Sequence, residues 1–382
     1  MTLRKATFLP VPLVLLGLTG CGEGDPVDTD LGECPSAPYE PVPLNATPPL
    51  PGDACADPVP PQFQVLEATL RTGQAQGDAA RAELLDPRVL TVVTCGTGGP
   101  LPSDRAQACT AVFAGGRFFV FDAGDGAQAS MEDLGLPVAD LAAVFLTHFH
   151  SDHMADLGEV MSRTWILGRT TPLPIYGGAA IERVVEGFNL AYTADEQYRI
   201  AHHGEEVLPP TTLLAEPVRV ASSVEGTVVY DEGGVVVRAY DVDHSPIGTA
   251  LGYRVEYQGR AVGISGDTID TAGLSALAEG TDILVSEVMD SNFALEMSCA
   301  LERTGDVRNA AIFRDIRTYH IDVTDLAQVA AVADVGTLVL THLVPTLPPE
   351  QAPSFFETPM QGIYDGQIVV AEDGTQVTLP ID

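Results

Sequence analysis

The chain has 382 residues, of which 53 are acidic and 19 basic, so its formal net charge is −34 at pH 7 and its pI is about 4.3. Lys5 is the only lysine in the sequence. Because neutralisation of the phosphate backbone supplies most non-specific affinity for nucleic acids, this composition argues against a nucleic acid as partner. The 45% hydrophobic content excludes a disordered chain and indicates a globular fold.

Residues 1–20 have the pattern of a secretory signal, with Arg4 and Lys5 at the start, an apolar segment, and small residues before Cys21. The apolar segment is too short and too rich in proline for a transmembrane helix. The ending Leu-Thr-Gly-Cys resembles the lipobox of bacterial lipoproteins. The resemblance implies a lipid anchor at Cys21 in the cell envelope, with the folded part outside the cytoplasm. Gly22 favours the outer membrane; an ordinary signal with an accidental cysteine is the alternative.

Residues 21–61 are rich in proline, aspartate and small side chains and lack apolar periodicity, which predicts a flexible tether. In an oxidising envelope, Cys34 and Cys55 are expected to form a disulfide around a loop of this tether. Cys95 and Cys109 flank a turn-rich segment and are a second candidate pair. No Cys-x-x-Cys motif occurs in the sequence, which argues against a cysteine zinc site.

Residues 62–382 are predicted to form one catalytic domain in which strands alternate with helices. Apolar runs bounded by turn residues predict strands at 88–94, 110–114, 117–121, 141–146, 235–242, 251–257, 261–265, 282–287 and 337–341. Helices are predicted at 128–134, 155–167 and 325–333. The segment 367–379 is expected to form a last hairpin that turns at Asp373-Gly374. This order of elements predicts two mixed sheets with helices outside, a four-layer α/β sandwich.

Histidine and aspartate cluster where predicted strands end. Four candidate ligands lie within six residues after the strand at 141–146, and three more follow other predicted strands. Imidazole nitrogens and carboxylate oxygens are the ligands that zinc accepts. Seven such ligands fit two metals that share one carboxylate and leave an open position for water on each. The candidates are His148, His150, Asp152, His153, His244, Asp267 and His342.

The ligand motif His148-x-His150-x-Asp152-His153 resembles that of the metallo-β-lactamase fold superfamily. Flanking motifs narrow the resemblance to its branch of ribonuclease Z and arylsulfatase-like hydrolases. These motifs are Gly96–Pro100, Arg105, Phe121–Gln128, Leu251–Arg254, Gly266–Thr268 and His320. The resemblance covers about residues 88–345 and implies the αββα sandwich of that superfamily.

The resemblance also implies a division of the ligands between two zinc ions, with manganese or iron as alternative metals. One zinc would be held by His148, His150 and His244, the other by Asp152, His153 and His342, and Asp267 would bridge them. Two metals that share a water lower its pKa towards neutral, and the resulting hydroxide attacks an ester centre.

Two residues are expected to take part in the chemistry beside the metals. Asp152 can accept a proton during attack as well as bind metal, and His320 resembles the histidine that stabilises or protonates the scissile group in ribonuclease Z-like enzymes. Glu287 resembles a carboxylate that orients a histidine, with structural support as the alternative. Asp122 and Asp125 are expected to stiffen the turn below the metals rather than bind them.

The substrate is predicted as a small-molecule ester, foremost a phosphodiester, with a sulfate ester or lactone as alternatives. Two features argue against 3′-tRNA processing of the ribonuclease Z type: the predicted export of the protein from the cytoplasm and its strongly negative net charge. The segment 167–232, where ribonuclease Z carries its tRNA-gripping arm, has four arginines among many acids. His202 and His203 in this segment are expected at a helix end in solvent, with a cap over the substrate cleft as the alternative. A lipid-anchored zinc-binding protein without catalysis is a further hypothesis. The oligomeric state stays open, with a dimer as one candidate.

Overall fold

In a computed structural model of the protein, residues 61–211 and 214–381 are described, and they contain two seven-stranded mixed sheets. The first sheet has the order β14-β1-β2-β3-β4-β5-β6 and the second has the order β13-β12-β11-β10-β9-β8-β7. The strands are β1 (Val89–Gly96), β2 (Cys109–Ala114), β3 (Arg117–Phe121), β4 (Leu141–Phe145), β5 (Leu173–Gly177), β6 (Ala215–Arg219), β7 (Thr227–Glu232), β8 (Val235–Val242), β9 (Ala250–Tyr257), β10 (Arg260–Ile264), β11 (Ile283–Met289), β12 (Thr337–Val344), β13 (Gln367–Val370) and β14 (Gln376–Pro380).

Helices cover the outer face of each sheet. They are α1 (Pro61–Leu84), α2 (Ala127–Asp133), α3 (Ser151–Met154), α4 (Leu157–Ile166), α5 (Ile181–His203), α6 (Ala272–Ala278), α7 (Ser291–Arg303), α8 (Val307–Asp315), α9 (Val323–Val332) and α10 (Ala352–Met360), with 3₁₀ turns at Val138–Asp140 and Ile316–Thr318. Side chains from α2, α4 and α5 pack on the first sheet, and those from α6, α9 and α10 pack on the second. A separate apolar core fills the space between the sheets. The predicted four-layer αββα sandwich is confirmed.

Aromatic side chains dominate the core between the two sheets. Phe145, the last residue of β4, stacks on Phe121 of β3 with ring centroids 5.0 Å apart and packs edge-on against Tyr253 of β9 at 5.4 Å. The Tyr253 hydroxyl donates a hydrogen bond of 2.9 Å to the carbonyl oxygen of Leu146, so the buried phenol is satisfied. This packing fixes the end of β4, immediately before the His-rich loop, against the opposite sheet.

The C-terminal segment corrects one prediction. The segment 367–379 is not a hairpin, because β13 pairs with β12 in the second sheet and β14 pairs with β1 in the first. The turn around Asp373 therefore connects the two sheets across the sandwich. The Asp373 carboxylate accepts hydrogen bonds from the backbone N–H groups of Thr97 (2.9 Å) and Ala106 (2.7 Å). Two short strands on either side of Asp-Gly have the same local sequence pattern whether they form a hairpin or join different sheets. Pairing with other strands decides which of the two structures forms.

The N-terminal helix α1 is a second difference from the predicted elements. Its sequence is rich in alanine, glutamine and leucine but has a weak apolar face, and Val65, Leu66 and Leu70 are exposed. Its C-terminal end is attached to the domain by an ion pair between Arg81 and Asp140. None of the helices among the described residues is both long enough and apolar enough to cross a bilayer.

A disulfide joins Cys95 of β1 to Cys109 of β2, and both residues are buried. The second candidate pair from the sequence is therefore bonded. Cys299 in α7 is free. The secretory signal, Cys21 and most of the tether, including the predicted Cys34–Cys55 disulfide, lie outside the described residues.

Candidate metal centre

The topology brings the predicted ligands together at one end of the sandwich. Because β10, β11 and β12 are parallel neighbours, Asp267, Glu287 and His342 meet at one edge of the second sheet. The strand β8 runs in the same direction as β10, since both are antiparallel to β9, and His244 follows it at the same edge. The loop 147–153 follows β4 of the first sheet and reaches this edge from the other side of the sandwich.

Four overlapping groups of side chains have ligand atoms within 4.8 Å of one another, and the two groups that lack Asp267 share no member. The other two both contain Asp267, and one of them includes Glu287 and His320. The first ligand group contains His148, His150 and His244, and the second ligand group contains Asp152, His153 and His342. The division matches the one that the sequence predicts for two metals. All these residues are buried except His150, which faces the exterior of the protein.

Asp267 lies between the two groups and is 3% exposed. Its Oδ2 atom is 3.9 Å from Nε2 of His148, 3.3 Å from that of His153, 3.8 Å from that of His244 and 3.6 Å from that of His342. One carboxylate oxygen is therefore near histidines from both ligand groups. This is the position that a bridging ligand requires.

A bulge in β12 orients His342 towards the centre. Glu287 of β11 pairs with Thr341 and the next residue of β11 pairs with Leu343, so His342 is an extra residue in β12 with φ of 46°. Gly99 packs directly on its ring: a Cβ atom at Gly99 would lie 2.8 Å from Cε1 of His342. The glycine of the 96–100 motif is thus needed for close approach of the backbone to a ligand.

Hydrogen bonds to the remote ring nitrogens hold two of the histidines. Asp122 accepts a 2.8 Å hydrogen bond from Nδ1 of His153, and its two oxygens also accept hydrogen bonds from the hydroxyl and the backbone N–H of Thr147, each at 2.8 Å. Nδ1 of His244 donates to the carbonyl oxygen of Tyr319 at 2.7 Å. These bonds leave Nε2 of each ring available to a metal.

Burial and mutual repulsion determine the charges of the cluster. Burial keeps the pKa of His148 well below its ordinary value and lowers the pKa of His244 to about 4, so both rings are neutral and ready to bind metal. Burial also opposes the charged forms of His153 and His342, but the Asp267 carboxylate outweighs it and raises the pKa of His342 to about 9. The same histidines hold the pKa of Asp267 well below its usual range against the effect of burial.

The residues fit a bound metal. Nε2 of His153 and Nδ1 of His342 are buried without a hydrogen-bond partner among the described residues, although buried polar atoms are normally paired. Without metal, protons on His153 and His342 supply the positive charge that the buried carboxylates require. A metal ion would replace those protons and would satisfy the unpaired nitrogen of His153.

Beside the two ligand groups, His320 and Glu287 form a buried pair. Nδ1 of His320 donates a 2.7 Å hydrogen bond to Oε2 of Glu287, and Oε1 of Glu287 accepts the backbone N–H of Thr268 at 2.7 Å. Burial opposes protonation of His320, but the Glu287 carboxylate outweighs it and raises the pKa of the imidazole. Nδ1 of His320 is 3.9 Å from Oδ2 of Asp267, so the pair adjoins the bridging position.

Some predicted residues lie elsewhere, and some contributors were not predicted. His202 and His203 are at the exposed C-terminal end of α5, as expected, and Asp125 does not belong to either ligand group. Asp122 stiffens the turn, but it also orients His153, which was not predicted. The contact of His244 with the Tyr319 carbonyl uses the main chain, for which no residue pattern gives a signal.

A cavity of about 310 Å³ opens beside the first ligand group. Its lining is mostly apolar, and two of the lining residues are His148 and His150 themselves; the others are Phe149, Ala179, Ala180, Ile247, Gly248 and Thr249. A volume of this size is typical of a small ligand site. A substrate group placed there would contact the metal ligands directly.

Comparison with known proteins extends these observations. A sequence profile described as "Beta-lactamase superfamily domain" matches residues 117–343. A protein named Ribonuclease Z from Mycolicibacterium gilvum is 36% identical over 289 residues, which cover 75% of this chain and 94% of that protein. A second Ribonuclease Z, from Mycobacterium bovis, is 37% identical over 267 residues, which cover 69% of this chain and 89% of that protein.

Solved structures agree on the fold. The human tRNase Z short form superimposes with a TM-score of 0.54 and 20% identity, over 76% of this chain and 100% of that chain. The metallo-β-lactamase fold protein YhfI from Bacillus subtilis gives a TM-score of 0.55 at 19% identity, over 76% of this chain and 99% of that chain.

These relatives overturn the prediction that the partner is a small-molecule ester and that nucleic acid is excluded. Net charge sums over every residue and says nothing about where the arginines lie. The chain aligns with 94% of the length of a ribonuclease Z protein despite its total charge. The chain belongs to the metallo-β-lactamase superfamily and, within it, to the ribonuclease Z family of metal-dependent hydrolases.

Proposed function

We propose that the protein is an endoribonuclease of the ribonuclease Z type that cleaves RNA phosphodiester bonds at the 3′ end of precursor tRNA. The observation that supports this most directly is the alignment with proteins named Ribonuclease Z over 94% of their length. The second support is the site, in which two ligand groups, a central carboxylate and the His320–Glu287 pair occur together.

The proposal includes two zinc ions, one at each ligand group, with Asp267 between them. Manganese or iron is compatible with the same nitrogen and oxygen ligands. When bound, such ions lower the pKa of water and offset the negative charge that develops on a phosphoryl group.

The protein's own residues would supply orientation and proton transfer. Asp152, which is buried in the second ligand group, would accept the proton that the attacking water loses. Nδ1 of His320 is engaged by Glu287, so Nε2 is the ring position from which His320 would donate a proton to the leaving 3′ oxygen. The products would be a 3′-hydroxyl on the upstream RNA and a 5′-phosphate on the downstream piece.

The test is cleavage of a labelled precursor tRNA with a 3′ trailer by the full mature chain loaded with zinc. We expect a single cut near the end of the acceptor stem, with a 3′-hydroxyl on the upstream product. An Asp267→Ala variant prepared in the same way is the control for a contaminating nuclease. Intact RNA after incubation with protein that contains two zinc ions per chain would refute the proposal.

We also propose that the enzyme is anchored in the cell envelope through a lipid on Cys21. The sequence pattern of residues 1–21 supports this, as does the buried Cys95–Cys109 disulfide, since such bonds persist mainly outside the cytoplasm. Mass spectrometry of the mature N-terminus, together with fractionation of inner and outer membranes, tests the proposal. An unmodified Cys21 or protein recovered in the cytosolic fraction would contradict it.

A further inference from the structure

The arginines that have no ion pair or hydrogen bond are concentrated in one segment of the described chain. Most guanidinium groups in the described part of the chain are engaged, as in the pairs Arg163–Glu132 and Arg219–Glu182. Four others form neither an ion pair nor a hydrogen bond within the described residues: Arg183, Arg303, Arg308 and Arg317. Three of these four lie within fifteen residues of sequence, immediately before His320.

These three arginines belong to the arginine hairpin, which we define as α7, α8 and the following 3₁₀ turn at Ile316–Thr318. Arg303 is in the last turn of α7 and Arg308 in the first turn of α8, so both lie near the tip. Arg317 is in the 3₁₀ turn, and the backbone N–H of His320 donates to the carbonyl of Ile316 at 3.2 Å. At about 1.5 Å per helical residue, the span from Arg308 at the tip to Arg317 is roughly 13 Å.

The arginine hairpin is held firmly to the site. Ser298 of α7 donates a 2.7 Å hydrogen bond to the carbonyl of Ala310 in α8, and both residues are buried. Phe313 and Ile316 pack on a small core that includes Met289, two residues after Glu287. The arginines are therefore presented on a packed element rather than on a loose loop, so the backbone would lose little conformational entropy when they bind a ligand.

Local charge distinguishes the arginine hairpin from the rest of the protein. The arginine hairpin as a whole, residues 291–318, has four arginines and four acids, so it is neutral within a chain of net charge −34. Its part 303–317 contains all four arginines but only two of the acids, Asp306 and Asp315. The segment 167–232 has four arginines against ten acids. Of those four, Arg199 pairs with Asp195, and Arg169 bonds the carbonyl of Leu141.

We propose that the arginine hairpin is the RNA-gripping surface of this enzyme, with Arg303, Arg308 and Arg317 contacting successive backbone phosphates of the RNA that enters the site. The inference rests on the proposed function, because it assigns the substrate contact of that activity. Arginine guanidinium groups recognise phosphate without reading base sequence. The surface therefore supplies affinity and register, while the metal centre supplies chemistry.

The experiment compares two triple variants of the full, zinc-loaded chain that remove the same charge. The first is Arg303→Gln/Arg308→Gln/Arg317→Gln, and the control in segment 167–232 is Arg183→Gln/Arg199→Gln/Arg219→Gln. Cleavage of a precursor tRNA is measured from low to moderate salt. We expect the first variant to raise KM at least about tenfold, with kcat within about twofold, and to reduce the slope of log(kcat/KM) against log salt by about 2. In the control variant, KM and the salt slope should stay near the wild-type values.

Because Nε of Arg317 is buried, the double variant Arg303→Gln/Arg308→Gln is measured in parallel. This double variant should show a smaller rise in KM and a smaller change in the salt slope, with an unchanged melting temperature. Equal losses in both triple variants, or a loss confined to the control, would overturn the inference. It would also be overturned if the arginine hairpin variant lost binding to anionic lipid vesicles while its RNA kinetics were unchanged.

The same experiment distinguishes failure of the proposed nuclease function from failure of the proposed contact surface. Wild-type protein that binds the RNA without cutting it refutes the nuclease activity alone, and fluorescence anisotropy with the same variants then still tests the contact surface. Wild-type protein that cuts the RNA with a salt slope untouched by the first triple variant refutes the contact surface alone.

Discussion

Glu287 connects His320 to the metal centre: one of its carboxylate oxygens accepts the Nδ1 proton of His320 at 2.7 Å, while the other accepts the backbone N–H of Thr268 at 2.7 Å. Thr268 directly follows Asp267 in the sequence. His320 is therefore positioned from the same turn that carries Asp267, through a single buried carboxylate.

Replacement of His320 should separate catalysis from metal binding. His320→Ala removes a proton donor but no member of either ligand group, so we expect kcat to fall by about 10²- to 10⁴-fold while the metal content is retained. Metal analysis and single-turnover cleavage of the RNA measure the two effects. Loss of a metal in this variant would show that the ligand assignment is wrong.

Glu287→Gln should change the pH dependence of the reaction. The Glu287 carboxylate raises the pKa of His320, so the imidazolium persists to higher pH in the wild type, and activity falls as the pH rises through that pKa. An amide can still accept from Thr268 but removes the negative charge, so the alkaline limb of the pH–kcat profile should move to lower pH. An unchanged alkaline limb would mean that His320 does not act as an acid. Zinc content is the control.

Asp267→Asn should abolish the binding of both metals. The side chain retains its size but loses the charge that faces histidines from both ligand groups. The introduced amide would also remove the carboxylate that His153 and His342 share, leaving Asp122 beside His153 and Asp152 beside His342. We expect zinc content well below that of the wild type and loss of cleavage. Full zinc occupancy in this variant would remove Asp267 from the bridging position.

Gly99→Ala should affect one ligand group selectively. The added Cβ would meet the His342 ring at 2.8 Å, so the ring must move and the second ligand group should lose its metal while the first keeps its own. Metal analysis should show about half the wild-type content. Gly187→Ala, in α5 with nothing within 4 Å of the new Cβ, is the matched control and should bind metal normally.

Removal of the Cys95–Cys109 disulfide should lower stability. The bond closes a loop with a sequence separation of 14, for which the chain-entropy model gives about 3 kcal/mol. The double variant Cys95→Ala/Cys109→Ala should therefore unfold at lower denaturant concentration, as measured by circular dichroism. The wild type treated with reductant provides a comparison without a change of sequence. Equal midpoints for all three samples would contradict the prediction.

The side chains that meet at one end of the sandwich could be predicted because most of them follow apolar strands and histidine is rare in the sequence. Residues 148–153 contain four of the seven candidate ligands, two from each ligand group, and local sequence is sufficient to find them. The bulge at His342 and the main-chain contact of Tyr319 with His244 depend on strand register and on folding of a distant segment, so local patterns give no sign of them. The assignment of β13 and β14 to different sheets has the same cause.

Net charge was the poorest predictor of the substrate among the sequence features. The total of −34 treats all arginines alike. In the described part of the chain, most arginines pair with an acidic neighbour, and three that have no ion pair or hydrogen bond lie within residues 303–317. Which arginines are free is a property of tertiary contacts, such as that of Arg219 with Glu182, 37 residues away.

A metal held by these residues would also be a mechanical component of the domain. The loop 147–153 follows a strand of the first sheet, whereas Asp267 and His342 belong to the second, so residues from both sheets would hold the ion at one end of the sandwich. Chelation should therefore loosen that end alone, where faster amide exchange would appear, while the aromatic core around Phe145 keeps the halves together.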